Sequence, residues 1–279
     1  MFNLTGRSKK TQSKQVLQLV KQQACEICAY DSYLFPHVFV VLPCYNEEEN
    51  LSPVISDISS SLASHFSFDV IAVDDGSSDR TKLVLESLSS KYPVKIISHM
   101  QNMGLSYTLG DGLMYALSLA RPTDIIVTMD ADNTHETRYL EQMIASVSKG
   151  SDFVIASRYI MGGLQLGVSN NRIVLSKAVN HLIKTLSGIT VRDATSGFRC
   201  YKASLLKEAQ EKFGFHLINS RGFEIQVELL VKLGALSNGI KEIPFVLRYD
   251  KKKGKSKMPM LKTIRDYIIL CLKIITWRM

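Results

Sequence analysis

The chain lacks the features of a disulfide scaffold, a secreted precursor or a membrane-spanning protein. Its five cysteines in 279 residues are an odd number without framework spacing. That argues against a disulfide-stapled fold and suits a reducing, cytoplasmic setting. Cys25-x-x-Cys28 is half of a zinc spacing with no second half, and both residues fall in an apolar periodic run, so buried thiols are expected there. No long apolar stretch follows the basic N-terminal residues, so no secretory leader is expected. No window reaches the roughly 18 apolar residues of a membrane span. The nearest candidate, residues 267–275, is broken by Lys273.

Two common nucleotide-binding signatures are also missing. Pro43-Cys44-Tyr45-Asn46-Glu47, at the first strand-to-helix crossing, contains no glycine, which argues against a dinucleotide site built on Gly-x-Gly-x-x-Gly. Gly254-Lys255-Ser256 lacks the upstream glycine of a phosphate-cradling loop.

What is present is an ordinary globular balance, 46% hydrophobic and 22% charged, which excludes wholesale disorder, collagen-like repeats and a coiled coil. The net charge of +8 is unevenly placed: residues 248–279 carry +8, residues 1–30 carry +4 and residues 31–247 carry −4. The body is therefore no general polyanion binder. The basic tail lacks interleaved aromatic residues on which bases could stack, so no nucleic-acid partner is expected.

Residues 1–13 read as a polar, basic tail. Val16, Leu17, Val20, Ala24 and Ile27 recur at helical spacing. From Val38 apolar runs alternate with helical periodicity. Strands are expected at 38–42, 70–73, 94–97, 125–129 and 153–156. Helices are expected at 50–63, at 79–90 with Ser78 as N-cap, at 104–119 and at 136–148. Such β-α-β units predict a doubly wound α/β fold, a mostly parallel sheet with helices on both faces. Ligands of such sheets bind outside the carboxyl ends of the strands. At those ends stand Tyr45 and Glu47, Asp74 and Asp75, and Asp130 and Asp132.

Asp130-Ala131-Asp132 can present carboxylate oxygens to one hard divalent cation, Mg²⁺ or Mn²⁺, of the kind that bridges to a diphosphate. A solvated acidic turn is the competing reading, disfavoured by the apolar run before it and the carboxylates at neighbouring strand ends. Asp74 can accept hydrogen bonds from a base or ribose, or form an Asx turn capping the next helix. His99 and His135 read as structural. Residues 192–198 read as a turn before a strand. Glu224 either bonds loops near a site or sits favourably at a helix N-terminus.

Six motifs then occur in order: Val40-Val41-Leu42-Pro43-Cys44-Tyr45-Asn46-Glu47, Val73-Asp74-Asp75-Gly76-Ser77, Met129-Asp130-Ala131-Asp132, Ala156-Ser157-Arg158-Tyr159, Ser196-Gly197-Phe198-Arg199 and Gly254-Lys255-Ser256-Lys257. Together they resemble the inverting GT-A glycosyltransferases, within them the polyprenol-phosphate group typified by dolichol-phosphate mannosyltransferase. The resemblance covers residues 38–258 and implies a GT-A catalytic domain there. It implies that Pro43, Tyr45, Glu47, Asp74, Asp75 and Asp130 bind the nucleotide, and that Asp130 and Asp132 hold Mg²⁺ or Mn²⁺ on the donor diphosphate. It further implies that Arg158, Arg172, Ser176, Arg248, Lys255 and Lys257 meet phosphates on the acceptor side, with Asp132, Arg158 and Arg172 the catalytic residues. Where the family often has Leu-Gln-His after the second Asp, this chain has Asn133-Thr134-His135, so Thr134 stands in the place of a further metal ligand. For Arg158, Arg172, Arg199 and Arg248 the alternative is ordinary surface ion pairing. Residues 192–198 would lie beside the acceptor, and residues 162–167 would form a mobile glycine-rich segment.

The implied reaction moves a hexose from a nucleotide sugar to a polyprenyl or dolichyl phosphate with inversion. Mannose from GDP-mannose is the first expectation, and glucose or an N-acetylhexosamine from a UDP-sugar the second. A lipid phosphate is already an anion near neutral pH, so direct displacement needs no essential base.

Residues 259–279 read as a separate amphipathic helix. Lys262, Arg265, Asp266, Lys273 and Thr276 lie on a narrow polar face, and Leu261, Ile264, Ile268, Leu272 and Ile275 on a wide apolar one. The expectation is a peripheral protein at the cytoplasmic membrane face, held by this helix on lipid or on a membrane subunit. The alternative is a helix packed on the domain.

Overall fold

The strand-forming runs are nearly all Val, Ile, Leu and Phe, and they fold accordingly into the interior of a sheet. The computed structural model describes residues 35–254 and 259–277. The expected helix over 16–27, Cys25, Cys28, Lys255 and Lys257 lie outside the described residues. In chain order the elements are β1 (Val38–Cys44), α1 (Leu51–Leu62), β2 (Phe68–Asp74), α2 (Thr81–Ser89), β3 (Val94–Ser98), α3 (Leu105–Leu119), β4 (Ile125–Thr128), α4 (Leu140–Ser148), β5 (Phe153–Ser157), β6 (Leu164–Leu166), α5 (Asn170–Ser187), β7 (Arg199–Lys202), α6 (Ala203–Phe213), α7 (Ile225–Gly234), β8 (Ile240–Pro244), β9 (Val246–Arg248) and α8 (Met260–Trp277).

The main sheet runs β3-β2-β1-β4-β7-β5-β8. β1 pairs parallel with both β2 and β4, so the strand order reverses between β1 and β4. That switch point opens a crevice at the carboxyl ends. β7 is antiparallel to both β4 and β5 and breaks an otherwise parallel sheet. Successive strand residues serve opposite faces. Val41, Ile71 and Val73 pack in one core with residues of α3, α5, α6, α7 and α8. Val40, Leu42, Val70 and Ala72 pack in the other with α1, α2 and α4. α3 approaches β1 so closely that a Cβ on Gly112 would lie 2.5 Å from Val41 Cγ1. Cys44, Cys200 and Cys271 are buried and outside any disulfide.

Four local expectations change. α2 starts at Thr81, not at 79, because the preceding residues are bound elsewhere: Ser78 N–H donates to Asn46 Oδ1 at 2.8 Å. Asp79, not Ser78, accepts from the Thr81 N–H, at 2.9 Å. The expected mobile segment 162–167 contains β6, which pairs with β9, and Gly167 (φ +75) packs where a Cβ would lie 2.8 Å from Asp250 N. Arg199 forms no surface ion pair. It is fully buried and donates to the carbonyls of Ser196, Gln226 and Ala194 at 2.6–2.7 Å.

α8 packs on the domain along one strip and leaves an apolar face outward. Thr263, Asp266, Tyr267, Leu270, Cys271 and Ile274 are buried, the apolar ones within the first core. Leu261, Ile268, Leu272 and Ile275 remain outward, 85%, 56%, 61% and 44% exposed. The inward face is thus the strip between the polar and apolar faces. Asp266, expected among solvated polar residues, is turned into the protein. No helix among the described residues is long and apolar enough to cross a membrane.

Candidate active site

The carboxyl ends of β1, β2 and β4 bring the sequence-predicted carboxylates together. Two loops that leave these strands place an asparagine in the left-handed region, Asn46 (φ 52) and Asn133 (φ 63), a conformation asparagine tolerates better than most residues. Asn46 staples the first loop to the second, since its N–H donates to Ser77 Oγ at 2.9 Å. Gly76 (φ +64) has no room for a side chain, because a Cβ would lie 2.5 Å from the Gln101 carbonyl carbon.

Glu47 is buried; its N–H donates to Thr81 Oγ1 at 2.7 Å and its Oε2 accepts from Asn50 Nδ2 at 2.7 Å. Asp74 is buried and accepts from the Ser77 N–H at 3.1 Å. Asp75 is turned into the protein. Its oxygens accept from the Met103 and Gly104 N–H groups at 2.8 and 2.9 Å, and Oδ1 lies 2.7 Å from His99 Nδ1. Asp75 therefore holds the 99–104 loop, and His99 bridges it to Asp111, with Nε2 3.0 Å from Asp111 Oδ2. Pro43 lies within β1, and Tyr45 follows directly on that strand.

Asp130 and Asp132 sit just beyond β4 in unlike settings. Asp130 is fixed by His135, whose Nδ1 accepts from the Asp130 N–H at 3.0 Å and whose Nε2 lies 3.6 Å from Oδ2. The His135 ring is itself stacked on Phe198. The Asp130 carboxylate is half-open to solvent. Burial among protein groups raises its pKa, and the charge of Asp132 adds to that. Asp132 is buried: Oδ1 accepts from the Thr134 hydroxyl at 2.7 Å and N–H at 3.2 Å, and Oδ2 accepts from Lys252 Nζ. Burial acts against its ionisation too, but the charge and hydrogen bond of Lys252 outweigh it and hold the carboxyl below the usual range. Thr134, which stands where a further ligand was in question, is committed to Asp132. Among the described residues no group of three His, Cys, Asp or Glu side chains forms a metal cage. A divalent cation nonetheless suits the donor set: two adjacent carboxylates, one open to solvent, the other already bearing a cationic group.

A second cluster adjoins the first. Arg158 Nε and Nη2 grip Asp193 at 2.7 and 2.6 Å, and Nη2 also donates to Thr195 Oγ1 at 2.7 Å. That hydroxyl lies 2.8 Å from Ser176 Oγ. Arg172, one turn before Ser176 on α5, donates to the Tyr249 hydroxyl at 2.6 Å. Arg158 and Ser176 thus meet at Thr195, with Arg172 one turn from Ser176, and Arg158 lies near enough to Asp130 to stabilise its charge. Arg248 is paired with Asp250 (2.8 Å) and Glu136 (3.5 Å). Residue patterning missed Thr195, Asp193 as the counter-ion of Arg158, Tyr249 and Lys252. Their only signal was nearness in sequence to Ser196 and Arg248.

The sequence profile of glycosyl transferase family 2 matches residues 39–209, which takes in β1 from its second residue, β2–β7 and both clusters except Tyr249 and Lys252. The chain belongs to that family. It is 33% identical over 242 residues to the dolichol-phosphate mannosyltransferase of Pyrococcus furiosus, covering 86% of this chain and 64% of that relative. It is 30% identical over 225 residues to the polyprenol monophosphomannose synthase of Mycolicibacterium smegmatis, covering 78% and 80%. Among solved structures it resembles the glucosyl-3-phosphoglycerate synthase of Mycobacterium tuberculosis in complex with Mn²⁺, UDP and phosphoglyceric acid. The TM-score is 0.60 at 20% identity, over 85% of this chain and 77% of that one. The fold is the GT-A glycosyltransferase fold, as the resemblance of the six motifs implied.

Proposed function

We propose that the protein transfers a hexose, mannose from GDP-mannose first, to a polyprenyl or dolichyl phosphate with inversion. The observation that carries this reading is the adjacency of two unlike clusters. A floor of strand-end carboxylates lies beside an Arg158–Thr195–Ser176 network with Arg172 one helical turn away. The first suits a metal-bound nucleoside diphosphate, the second a phosphate anion. Pro43, Tyr45, Glu47 and Asp74 border the nucleoside side, with Asp75 bracing the loop beside them. Asp130 and Asp132 would hold Mg²⁺ or Mn²⁺, which when bound offsets charge on the departing diphosphate.

The rest of the chemistry falls to the chain. Ser176 and the Arg172 guanidinium orient the acceptor phosphate and neutralise it. Arg158, locked by Asp193, keeps a fixed positive charge between acceptor and Asp130. An acceptor oxygen forms the new bond to the anomeric carbon as the bond to the diphosphate oxygen breaks. The acceptor is already an anion, so no side chain has to remove a proton. Arg248 at the end of β9, with Lys255 and Lys257 further along the chain, would supply further positive charge.

The test is transfer of radiolabelled mannose from GDP-mannose to a short polyprenyl phosphate, with UDP-glucose in parallel and with Mn²⁺, Mg²⁺ or EDTA. Lipid-linked mannose that requires a divalent ion is the expected result. Transfer from the UDP-sugar alone would overturn the mannose assignment, and no transfer from either donor would overturn the function. On the acceptor side, Arg172→Ala is expected to raise the acceptor KM about tenfold or more, the scale of a lost charge-assisted hydrogen bond. Its GDP affinity should stay within about threefold, less than 1 kcal/mol. Calorimetry showing nucleotide affinity lost would reverse the assignment.

The catalytic unit is taken as residues 38–258, with α8 completing its core and facing the cytoplasmic leaflet of a membrane. Leu261, Ile268, Leu272 and Ile275 are outward, and Lys262, Arg265 and Lys273 on the same helix are exposed. Apolar side chains beside cations match an anionic lipid surface, where each Lys or Arg contributes on the order of 1 kcal/mol. Because α8 also buries Tyr267, Leu270 and Ile274, removing it would strip the core. Outward-face substitutions are the cleaner probe. Leu261→Ser/Ile268→Ser/Leu272→Ser should keep the melting temperature within about 4 °C, the shift of at most ~1–2 kcal/mol in a domain this size. Co-sedimentation with phosphatidylserine-containing vesicles should be lost, and wild-type binding should weaken with salt. A variant that still sediments removes α8 as the anchor. Wild-type binding to membranes only when they carry their native proteins would point to a subunit.

A further inference from the structure

The two carboxylates expected to share a divalent ion are not equally available. Both oxygens of Asp132 are engaged within the chain, Oδ1 by Thr134 and Oδ2 by the Lys252 ammonium. The ion pair is shielded, with the Lys252 and Asp132 side chains only 10% and 11% exposed. Asp130, whose side chain is 47% exposed, has His135 as its neighbour instead.

Lys252 is held there by its surroundings. On one side Arg248 and Lys251 pair with Glu136 at 3.5 and 2.9 Å. Tyr249 takes the Arg172 hydrogen bond, and its ring centroid lies 5.7 Å from Lys252 Nζ. On the other side the Lys253 carbonyl accepts from Asn50 Nδ2 at 3.3 Å. The backbone is thus tied down on both sides of Lys252, while a four-carbon stem lets the ammonium swing away without moving the loop. Glu47 and Asp130 also act on it, so all the nearby negative charge draws this ammonium to the cleft floor.

We propose that Lys252 is an exchangeable internal cation that occupies the Asp132 side of the metal position and competes with the divalent ion for it. An ammonium and a divalent ion cannot share one carboxylate oxygen at contact distance, because like charges that close repel strongly in a partly dry site. Entry of the ion therefore requires Lys252 to leave Asp132. The anionic group then within its reach is the donor diphosphate, so the same displacement delivers a positive charge to the leaving group. The linkage also runs toward the acceptor side, since Tyr249 touches both Lys252 and Arg172. This inference rests on the metal-dependent transferase reading above.

The test is Mn²⁺ binding to the full chain without nucleotide, followed by electron paramagnetic resonance of the free ion. If the pair is closed about nine-tenths of the time or more, apparent affinity is lowered about tenfold. Lys252→Met should then bind Mn²⁺ at least about tenfold more tightly than wild type. Lys252→Gln keeps a donor for Asp132 without the charge, and should also bind more tightly, which separates charge from hydrogen bonding and guards against a poorly folded first variant. Lys251→Met, which loses the ion pair to Glu136 instead, should stay within about threefold. Equal or weaker Mn²⁺ affinity in both Lys252 variants, with unchanged melting temperatures, overturns the proposal while leaving a metal site intact. If no variant binds Mn²⁺ even with GDP present, the metal reading itself fails, a result the first outcome does not resemble.

Discussion

Asp132→Asn is expected to fold normally and to lose transfer activity by about 100-fold or more, the scale on which removal of one charge-stabilising group lowers turnover. The substitution preserves shape: Thr134 can still donate to the remaining oxygen through its hydroxyl and N–H. What disappears is the charge. Lys252 keeps Glu47 and Asp130 as neighbours, so its ammonium is not stranded in an apolar environment, and the melting temperature should change little. The divalent ion, however, would be left with the Asp130 carboxylate alone. Initial rates with GDP-mannose and a short polyprenyl phosphate in Mn²⁺, read beside a melting curve, decide it. Near-normal turnover in a folded variant, or wild-type activity undiminished by EDTA, refutes the role.

Arg158→Ala is expected to cost about 3–5 kcal/mol of folding stability, because it strands a buried carboxylate. Asp193 is fully buried, and besides the two side-chain bonds from Arg158 it accepts the Arg158 N–H at 2.9 Å. Burial alone would raise the Asp193 carboxyl, but the charge and hydrogen bonds of Arg158 hold it below 3.8. The sign of the pH dependence follows. A carboxyl depressed in the folded state contributes its stability in full above the unfolded value and loses it as pH falls through the folded one. Wild type should therefore keep this contribution down to about pH 4 and lose it only below. Arg158→Ala should lack that acid-side loss. Removing both charges, as in Arg158→Leu/Asp193→Leu, should cost less than Arg158→Ala alone. Urea denaturation of the three proteins between pH 3 and pH 8 is the measurement. A single mutant as stable as wild type would return Arg158 to an ordinary surface charge.

The legible part of the fold was the part set by neighbours along the chain. Runs such as Val38-Phe39-Val40-Val41-Leu42 could only be an interior strand, and the alternation with helical periodicity implied parallel crossovers. The antiparallel place of β7 escaped this reading: the 192–198 turn announced a strand, but Arg199-Cys200-Tyr201-Lys202 has charged ends and no apolar run to mark it as interior. Its burial depends on β4 and β5 flanking it and on three carbonyls receiving the Arg199 guanidinium. β6 escaped as well, since three residues between glycines carry no periodicity and become a strand only when β9 arrives beside them.

The site divides in the same way. By itself the sequence determined that Tyr45, Glu47, Asp74, Asp75, Asp130 and Asp132 stand at strand ends, because a strand end is a local event and a parallel sheet gathers such ends on one edge. It also determined that α8 has an apolar and a basic face. Only the tertiary structure decided which partner each charge takes. It turned Asp75 inward onto a loop, gave Arg158 to Asp193, joined Ser176 to Thr195, and set Lys252 on a carboxylate 120 residues away. It also chose which strip of α8 packs inward. The physical reason is that periodicity records preferences averaged over a face, whereas an ion pair is settled by burial. A charge removed from water must find an opposite one within a few ångströms, and that neighbour is supplied by the fold, not by the adjacent residues of the chain.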